Sequence, residues 1–346
     1  MSNMIEINNL SVAIKKKVHS EFGKVDGRPF DTAVILHLYY PDLWDEIRDY
    51  LANLGNDFDL YISVCDTVKE SDVAHIKKHY PDALICKMEN RGRDIGPFME
   101  IYPMLVDHYR YICKVHSKKS HHHPDGNGWR QDMYTKLLGS PKLVVDIKAL
   151  FDCFPNIGII GPEGQLKLCS KNLGENAERI IELARIMGAN ETGDFDYNFL
   201  TGSMFWFRPK ALVPILSLNV KQGGFEHEQG QSDGTLAHAL ERVFSMAAKV
   251  AGYDLVTGTH IVETARKYFG AEWCHIQQDL VENQDRRVVF RKLAESMEIL
   301  DDKDRELADR DHEINMFRNS SSWKLTAPLR RVKVLLSDLL PSKYSS

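Results

Sequence analysis

The stretch AVILHLYYPDLWDEIRDYLANLGNDFDLYISVCD (33–66) decides the fold. Its first part, AVILHLYY (33–40), is a short apolar run suited to a buried strand. Pro41 follows, and LWDEIRDYLANL (43–54) then repeats apolar residues at helical spacing. Asp57–Asp59 break that pattern, and LYISVCD (60–66) reads as a second buried strand. Outward from there the alternation continues. SDVAHIKKHYP (71–81) predicts a helix with Ser71 as N-cap, and ALICKME (83–89) a third strand. GPFMEIYPMLVDHY (96–109) predicts a helix bent or restarted at Pro103, and YICKVHS (111–117) a fourth strand. Strands and helices alternating with short links imply an α/β, doubly wound, mostly parallel sheet.

The middle of the chain differs. SKKSHHHPDGNGW (117–129) reads as a loop, followed by two helices over 130–154 and a short strand at NIGIIGPEG (156–164). Residues 175–189 are helical in pattern, and FLTGSMFWFRP (199–209) is strand-like. A helix is expected from about Asp233 to Gly252, and a final strand over 254–264. Beyond about 280 the composition shifts. Leu293, Leu300, Leu307 and Ile314 recur every seven residues, but the companion positions Phe290, Met297, Asp304 and Asp311 lose their apolar character. A charged helix, solvated or weakly coiled-coil, is expected over 281–318. Residues 318–343 carry six basic residues and one acidic, interleaved with Trp323 and aliphatic residues. That basic amphipathic pattern over the tail (319–346) suits a membrane surface as well as packing on the body. The expected organisation is thus an α/β domain over 1–280, the charged helix, and the tail.

Composition excludes several classes. Of 346 residues, 43% are hydrophobic and 27% charged, which argues against a disordered or membrane-embedded chain. The net charge of −5 argues against bulk nucleic-acid binding. Cysteines at 65, 86, 113, 153, 169 and 274 form no CxxC pair and read as buried hydrophobes in a reducing compartment. The first 22 residues hold no apolar signal core, so a cytoplasmic location is expected.

Four segments could carry chemistry. ENRGRDIGPF (89–98) follows a strand, where doubly wound sheets bind ligands. There Gly92 and Gly96 permit close backbone approach, Arg91 and Arg93 offer forked phosphate donors, and Asn90 and Asp94 suit sugar or base. A structural Asp94 paired with Arg is the plainer alternative. In KVHSKKSHHHPDGNGW (114–129), Lys114, His116, Lys118 and Lys119 form a candidate anion cluster, while His121–His123 read as a solvated loop. In FEHEQGQSDGTLAHALERVF (225–244), Asp233 at a helix N-terminus suits a general base, or simply an N-cap. Glu241 and Arg242 are expected to stabilise structure. TGSMFWFRP (201–209) is either ordinary core or the floor of an acceptor pocket.

Together, NRGRDIGPF (90–98), KVHSKKS (114–120), Trp129-Arg130, GSMFWFRPKAL (202–212) and EQGQSDGTLAHALERVF (228–244) resemble the rhamnan synthesis protein F family of polysaccharide-assembly glycosyltransferases. The tail SSSWKLTAPLRRV (320–332) is similar to the ending of many bacterial surface-glycan glycosyltransferases. The motif order is also similar to a GT-A glycosyltransferase, with one departure: Lys114-Val115-His116 stands where an acidic metal-binding pair is expected. The resemblance implies a GT-A-like fold with a C-terminal helical extension. It implies an inverting transfer of rhamnose or a similar sugar from a nucleotide-sugar donor, dTDP-rhamnose favoured, to a growing surface polysaccharide. The expected partners are that donor, a lipid-linked acceptor, other glycosyltransferases of the pathway, and the inner face of the cell membrane through the tail. Mg or Mn is disfavoured as a cofactor by the departure. On this reading Asp66, Asn90, Arg91, Gly92, Arg93, Asp94, Lys114, His116, Lys118 and Lys119 hold the donor, and Asp233 is the base. Trp129, Arg130, Gly202, Ser203, Trp206 and Glu228 face the acceptor. The alternative is a non-catalytic carbohydrate-binding or scaffold protein of the assembly complex.

Overall fold

The computed structural model describes residues 4–18, 24–25, 28–119, 126–189, 197–258 and 310. The chain divides into two compact units, Met1–Val281 and Glu282–Ser346, and every element below belongs to the first. The expected charged helix and basic tail lie outside the described residues.

A short edge strand, β1 (Ile5–Glu6), runs directly into α1 (Ile7–Val18), and neither was expected from the sequence. A two-stranded ribbon follows, β2 (Lys24–Val25) with β3 (Arg28–Pro29). Then come β4 (Thr32–Leu38), α2 (Trp44–Leu51), β5 (Phe58–Cys65), α3 (Glu70–His79), β6 (Leu84–Met88), α4 (Ile95–Ile101) and β7 (Tyr111–His116). Every residue of β4, β5 and β7 is buried. Strands covered on both faces read as near-continuous apolar runs, which is why this half was legible. Each fully buried Leu, Ile or Val contributes about 1.5–3 kcal/mol relative to exposure. The N-cap of α3 is Lys69, not Ser71; the Asp72 carboxylate accepts the Lys69 N–H at 3.0 Å. The expected break at Pro103 is a single 3-10 turn, Tyr102–Met104.

The second half supplies α5 (Gly126–Leu138), α6 (Pro141–Cys153), β8 (Ile157–Gly161), β9 (Leu166–Leu168), α7 (Ala177–Ile186), β10 (Asn198–Leu200), β11 (Phe205–Phe207), α8 (Leu236–Val250) and β12 (Asp254–Thr257). The segment 199–209 is therefore not one strand. Gly202 (φ 85°) and Ser203 (φ 54°) both adopt left-handed backbone, reversing the chain between β10 and β11. β10 pairs with β9 in a separate ribbon, while β11 enters the main sheet.

The main sheet has eight strands in the order β1-β6-β5-β4-β7-β11-β8-β12. All its pairings are parallel except those of β11, which is antiparallel to both β7 and β8. Helices α1, α4, α7 and α8 pack on one face or on one another there; α2, α5 and α6 form the opposite layer. The α/β, GT-A-like, doubly wound, mostly parallel fold expected from the sequence is the fold observed. The chain moves from β4 outward through β5 and β6, then returns to place β7 on the other side of β4. The order reverses between β4 and β7, and the crevice beyond their carboxyl ends is where such sheets bind ligands.

Candidate functional site at the carboxyl ends of β4 and β7

Parallel pairing sets Ser63, His37 and His116 side by side on β5, β4 and β7. Because side chains alternate along a strand, Lys114 shares the face of His116. This row lies on the sheet face covered by α4, where Lys114 Nζ sits 5.4 Å from the Phe98 ring centre. Asp94, from the β6–α4 loop, closes over it. The Lys114 ammonium, 1% exposed, donates to the Asp94 carboxylate, to the Ser203 carbonyl at 2.7 Å and to the Ser203 hydroxyl at 2.9 Å. All three of its donors are thereby engaged. Burial acts to raise the Asp94 carboxyl, but the adjoining His116 ring and Lys114 ammonium outweigh it and hold the group well below the usual carboxylate range. Burial lowers His116 to about 3 and His37 to about 4, so both rings are neutral at neutral pH. His37 Nδ1 is 2.9 Å from Ser63 Oγ. His116 Nδ1, 3.4 Å from Asp94 Oδ2, makes no hydrogen bond.

These contacts correct the expected anion cluster. Lys114 is neutralised by Asp94 and sealed from ligands, so Asp94 pairs with a lysine instead of holding sugar. His116 is uncharged. Lys119 pairs with Asp42 and lies 4.9 Å from the Tyr40 ring centre. Lys118 stands 4.4 Å above the Trp129 ring, and of the four it is the cation without a carboxylate partner among the described residues.

The 89–96 loop is shaped by glycine. Gly92 adopts φ 71°, and a Cβ there would run into the Phe225 ring. Arg93, also left-handed at φ 55°, is a latch. It donates to His238 Nε2 at 2.9 Å, to Glu228 at 3.4 Å and to the Gln231 carbonyl. His238 Nδ1 lies 3.4 Å from the Thr235 backbone nitrogen and 2.7 Å from Thr235 Oγ1. Burial and the Arg93 charge lower His238 to about 4. Arg93 and Glu228, expected on donor and acceptor sides, instead bind each other. Arg91 bridges His227 through its main chain, and its buried Nε makes no hydrogen bond. Asn90 is exposed. Asp66, exposed beyond β5, lies 3.4 Å from Lys87.

The acceptor-side residues divide. Trp206 is fully buried on β11, its Nε1 donating to the Leu137 carbonyl at 3.0 Å, so it is core and not a pocket floor. The segment alone does not tell which aromatic of FWF faces which layer. Arg130, 3% exposed, clasps Glu46 at 2.8 and 2.9 Å and also bonds Lys118 O and Asn127 Oδ1, each at 3.0 Å. It is a staple between α2 and α5. Gly202 and Trp129 do meet: a Cβ on Gly202 would come within 2.8 Å of the Trp129 ring. Ser203, 2% exposed, accepts from Lys114. Glu241, given only a structural role by the sequence, accepts the Gly202 N–H at 2.8 Å. Burial raises its carboxyl above the ordinary range, with Asp94 adding and Lys118 opposing.

Asp233 does not start the helix. The N-cap of α8 is Thr235. The Asp233 carboxylate accepts from the Glu175 N–H at 3.1 Å, Asn176 Nδ2 at 2.6 Å and Arg242 at 3.2 Å, strapping the 174–176 turn to α8. Burial acts to raise it, but the Glu175 N–H and the Arg242 charge prevail and hold it below the ordinary carboxylate range. Among the described residues no three His, Cys, Asp or Glu side chains gather as a metal-binding group. At the β7 end, a divalent cation on Asp94 would meet the Lys114 ammonium already there. No helix among the described residues is long and apolar enough to cross a membrane.

Residues 1–253 match the family model of rhamnan synthesis protein F. Two curated relatives, each described as "Uncharacterized protein WxcX", come from Xanthomonas campestris pv. campestris strains B100 and ATCC 33913. Both are 38% identical over 226 residues, which is 65% of this chain and 32% of theirs. The chain thus spans about a third of the length of the curated relatives it matches. The match to the family model covers most of the sheet and its helices, and the chain belongs to the rhamnan synthesis protein F family, whose name ties it to polysaccharide synthesis.

Proposed function

We propose that the chain is a nucleotide-sugar-dependent glycosyltransferase that extends a bacterial surface polysaccharide with rhamnose or a similar sugar, inverting the anomeric centre. One observation carries this: a buried ion pair, Lys114–Asp94, lies beneath a glycine-shaped loop at the switch point of a doubly wound sheet. Ligands in such folds bind at that crevice. The family's tie to polysaccharide synthesis narrows the ligand to sugar chemistry. The donor's base and ribose would lie toward Asp66 and Asn90, and its diphosphate near Arg91 and Lys118. Lys114, His116 and Asp94 act from beneath by fixing the loop and the Gly202–Ser203 turn. Asp233, ionised at neutral pH, keeps the α8 side of the crevice in place.

The scaffold reading has one observation in its favour, the full engagement of Lys114 where an acidic pair was expected. A thermal-shift screen with dTDP-, UDP- and GDP-sugars, with and without Mn²⁺ and EDTA, separates the two. A ligand at 100 times its Kd adds about 2.7 kcal/mol. A shift with one nucleotide-sugar is expected, and its persistence in EDTA would fit transfer without a labile metal. Absence of any shift would favour the scaffold.

A further inference from the structure

Two elements of the site converge on one turn. Ser203 accepts the Lys114 ammonium through its carbonyl and hydroxyl, at 2.7 and 2.9 Å. The neighbouring Gly202 donates its N–H to Glu241 Oε1 at 2.8 Å. Glu241 and the Lys114–Asp94 pair are therefore anchored to adjacent residues of the same turn. Its setting differs from that of Asp233 in two ways. It is held by a single hydrogen bond, and its second oxygen has no donor among the described residues. Like Asp233, it is half-buried. It also lies where Lys118 and Asp94 act on it, whereas Asp233 faces Arg242, His238 and the 174–176 turn.

We propose that Glu241 is the general base of the transfer, receiving the proton of the acceptor hydroxyl on its free oxygen; this rests on the glycosyltransferase reading above. The acceptor oxygen forms a bond to the anomeric carbon of the nucleotide-sugar as its O–H proton passes to Glu241. The bond from that carbon to the diphosphate oxygen breaks, and its electron pair leaves with the nucleoside diphosphate. The proton then passes from Glu241 to water. Fixing Oε1 on a backbone donor orients the carboxylate before the acceptor arrives. Burial strengthens it as a base, with Asp94 adding to the rise and the Gly202 N–H and the Lys118 and Arg242 charges opposing it.

The test compares Glu241→Gln, Glu241→Asp and Asp233→Asn in the full chain, using the nucleotide-sugar that binds the wild type. Glu241→Gln keeps a carbonyl oxygen for the Gly202 N–H, so folding and donor Kd are expected to persist. Its kcat should fall about 10²–10⁴-fold. The acidic limb of the wild-type pH profile should vanish with it, and Glu241→Asp should retain part of the rate. Asp233→Asn should lose stability, with a smaller fall in kcat at saturating donor. Transfer by Glu241→Gln within a few-fold of wild type, or an unchanged acidic limb, would overturn the base while leaving the glycosyltransferase reading intact. A wild type that neither binds a nucleotide-sugar nor transfers would overturn both.

Discussion

Removing either partner of the Lys114–Asp94 pair should expose how strongly the site's interior depends on it. Lys114 is 1% exposed and Asp94 14%, so neither charge can turn to solvent without moving the loop or the strand. Asp94→Asn preserves shape but leaves the ammonium facing only the dipoles of Ser203. Breaking a buried pair in this way costs about 3–5 kcal/mol, because the remaining charge stays desolvated. For a domain of this size each kcal/mol shifts Tm by about 2–4 °C, so a fall on the order of 6–20 °C is expected. Lys114→Met should cost toward the lower end, since Asp94 retains some access to water. The double variant removes both charges and should recover much of the loss, giving a coupling of about 2 kcal/mol or more. Urea unfolding of the four proteins, followed by circular dichroism, measures the cycle. Single losses below about 1 kcal/mol, or additive losses in the double variant, would refute the reasoning.

Gly92→Ala should destabilise by about 1–3 kcal/mol, since alanine would adopt a left-handed backbone against the Phe225 ring; unfolding at wild-type denaturant concentration would contradict this. Acid should weaken the fold through His37 and His116. Their folded values, about 4 and about 3, lie below the unfolded value of 6.5, so the unfolded chain binds more protons as pH falls from 6.5 toward 4. Stability is then full above 6.5 and declines below it by up to about 1.4 kcal/mol per pH unit for each ring. Asp94, depressed in the folded state, adds a further loss below about pH 4. Replacing His37 and His116 together by Gln should flatten the slope between pH 6.5 and 4, and an unchanged slope would contradict their buried neutral state.

What was legible in the sequence follows from burial. β4 and β5 are buried along their whole length and read as near-continuous apolar runs because helices cover both faces. α1 and β1 escaped notice because a two-residue strand and a twelve-residue helix with three consecutive lysines carry little periodic signal. The reversal inside FLTGSMFWFRP turns on Ser203 in left-handed backbone, a conformation its residue type does not advertise. Site chemistry was legible as segments but not as partners. Lys114 and Asp94 are both in quoted motifs, yet their pairing depends on a loop folding back over a strand. Arg130 reads as a free guanidinium until Glu46 meets it across the α2–α5 contact. Glu241 looked like one more charge on a helix, and only the Gly202 N–H distinguishes it.

The central claim is donor chemistry at the β4–β7 switch point, and release of nucleoside diphosphate tests it most directly. The full chain would be incubated with each of dTDP-rhamnose, UDP- and GDP-sugars, together with a lipid-linked glycan acceptor, and diphosphate and extended glycan would be quantified. The account predicts release from one donor, matched by glycan extension and inverted at the anomeric carbon. Binding without release or extension would contradict catalysis, and neither binding nor release with any donor would contradict the site itself.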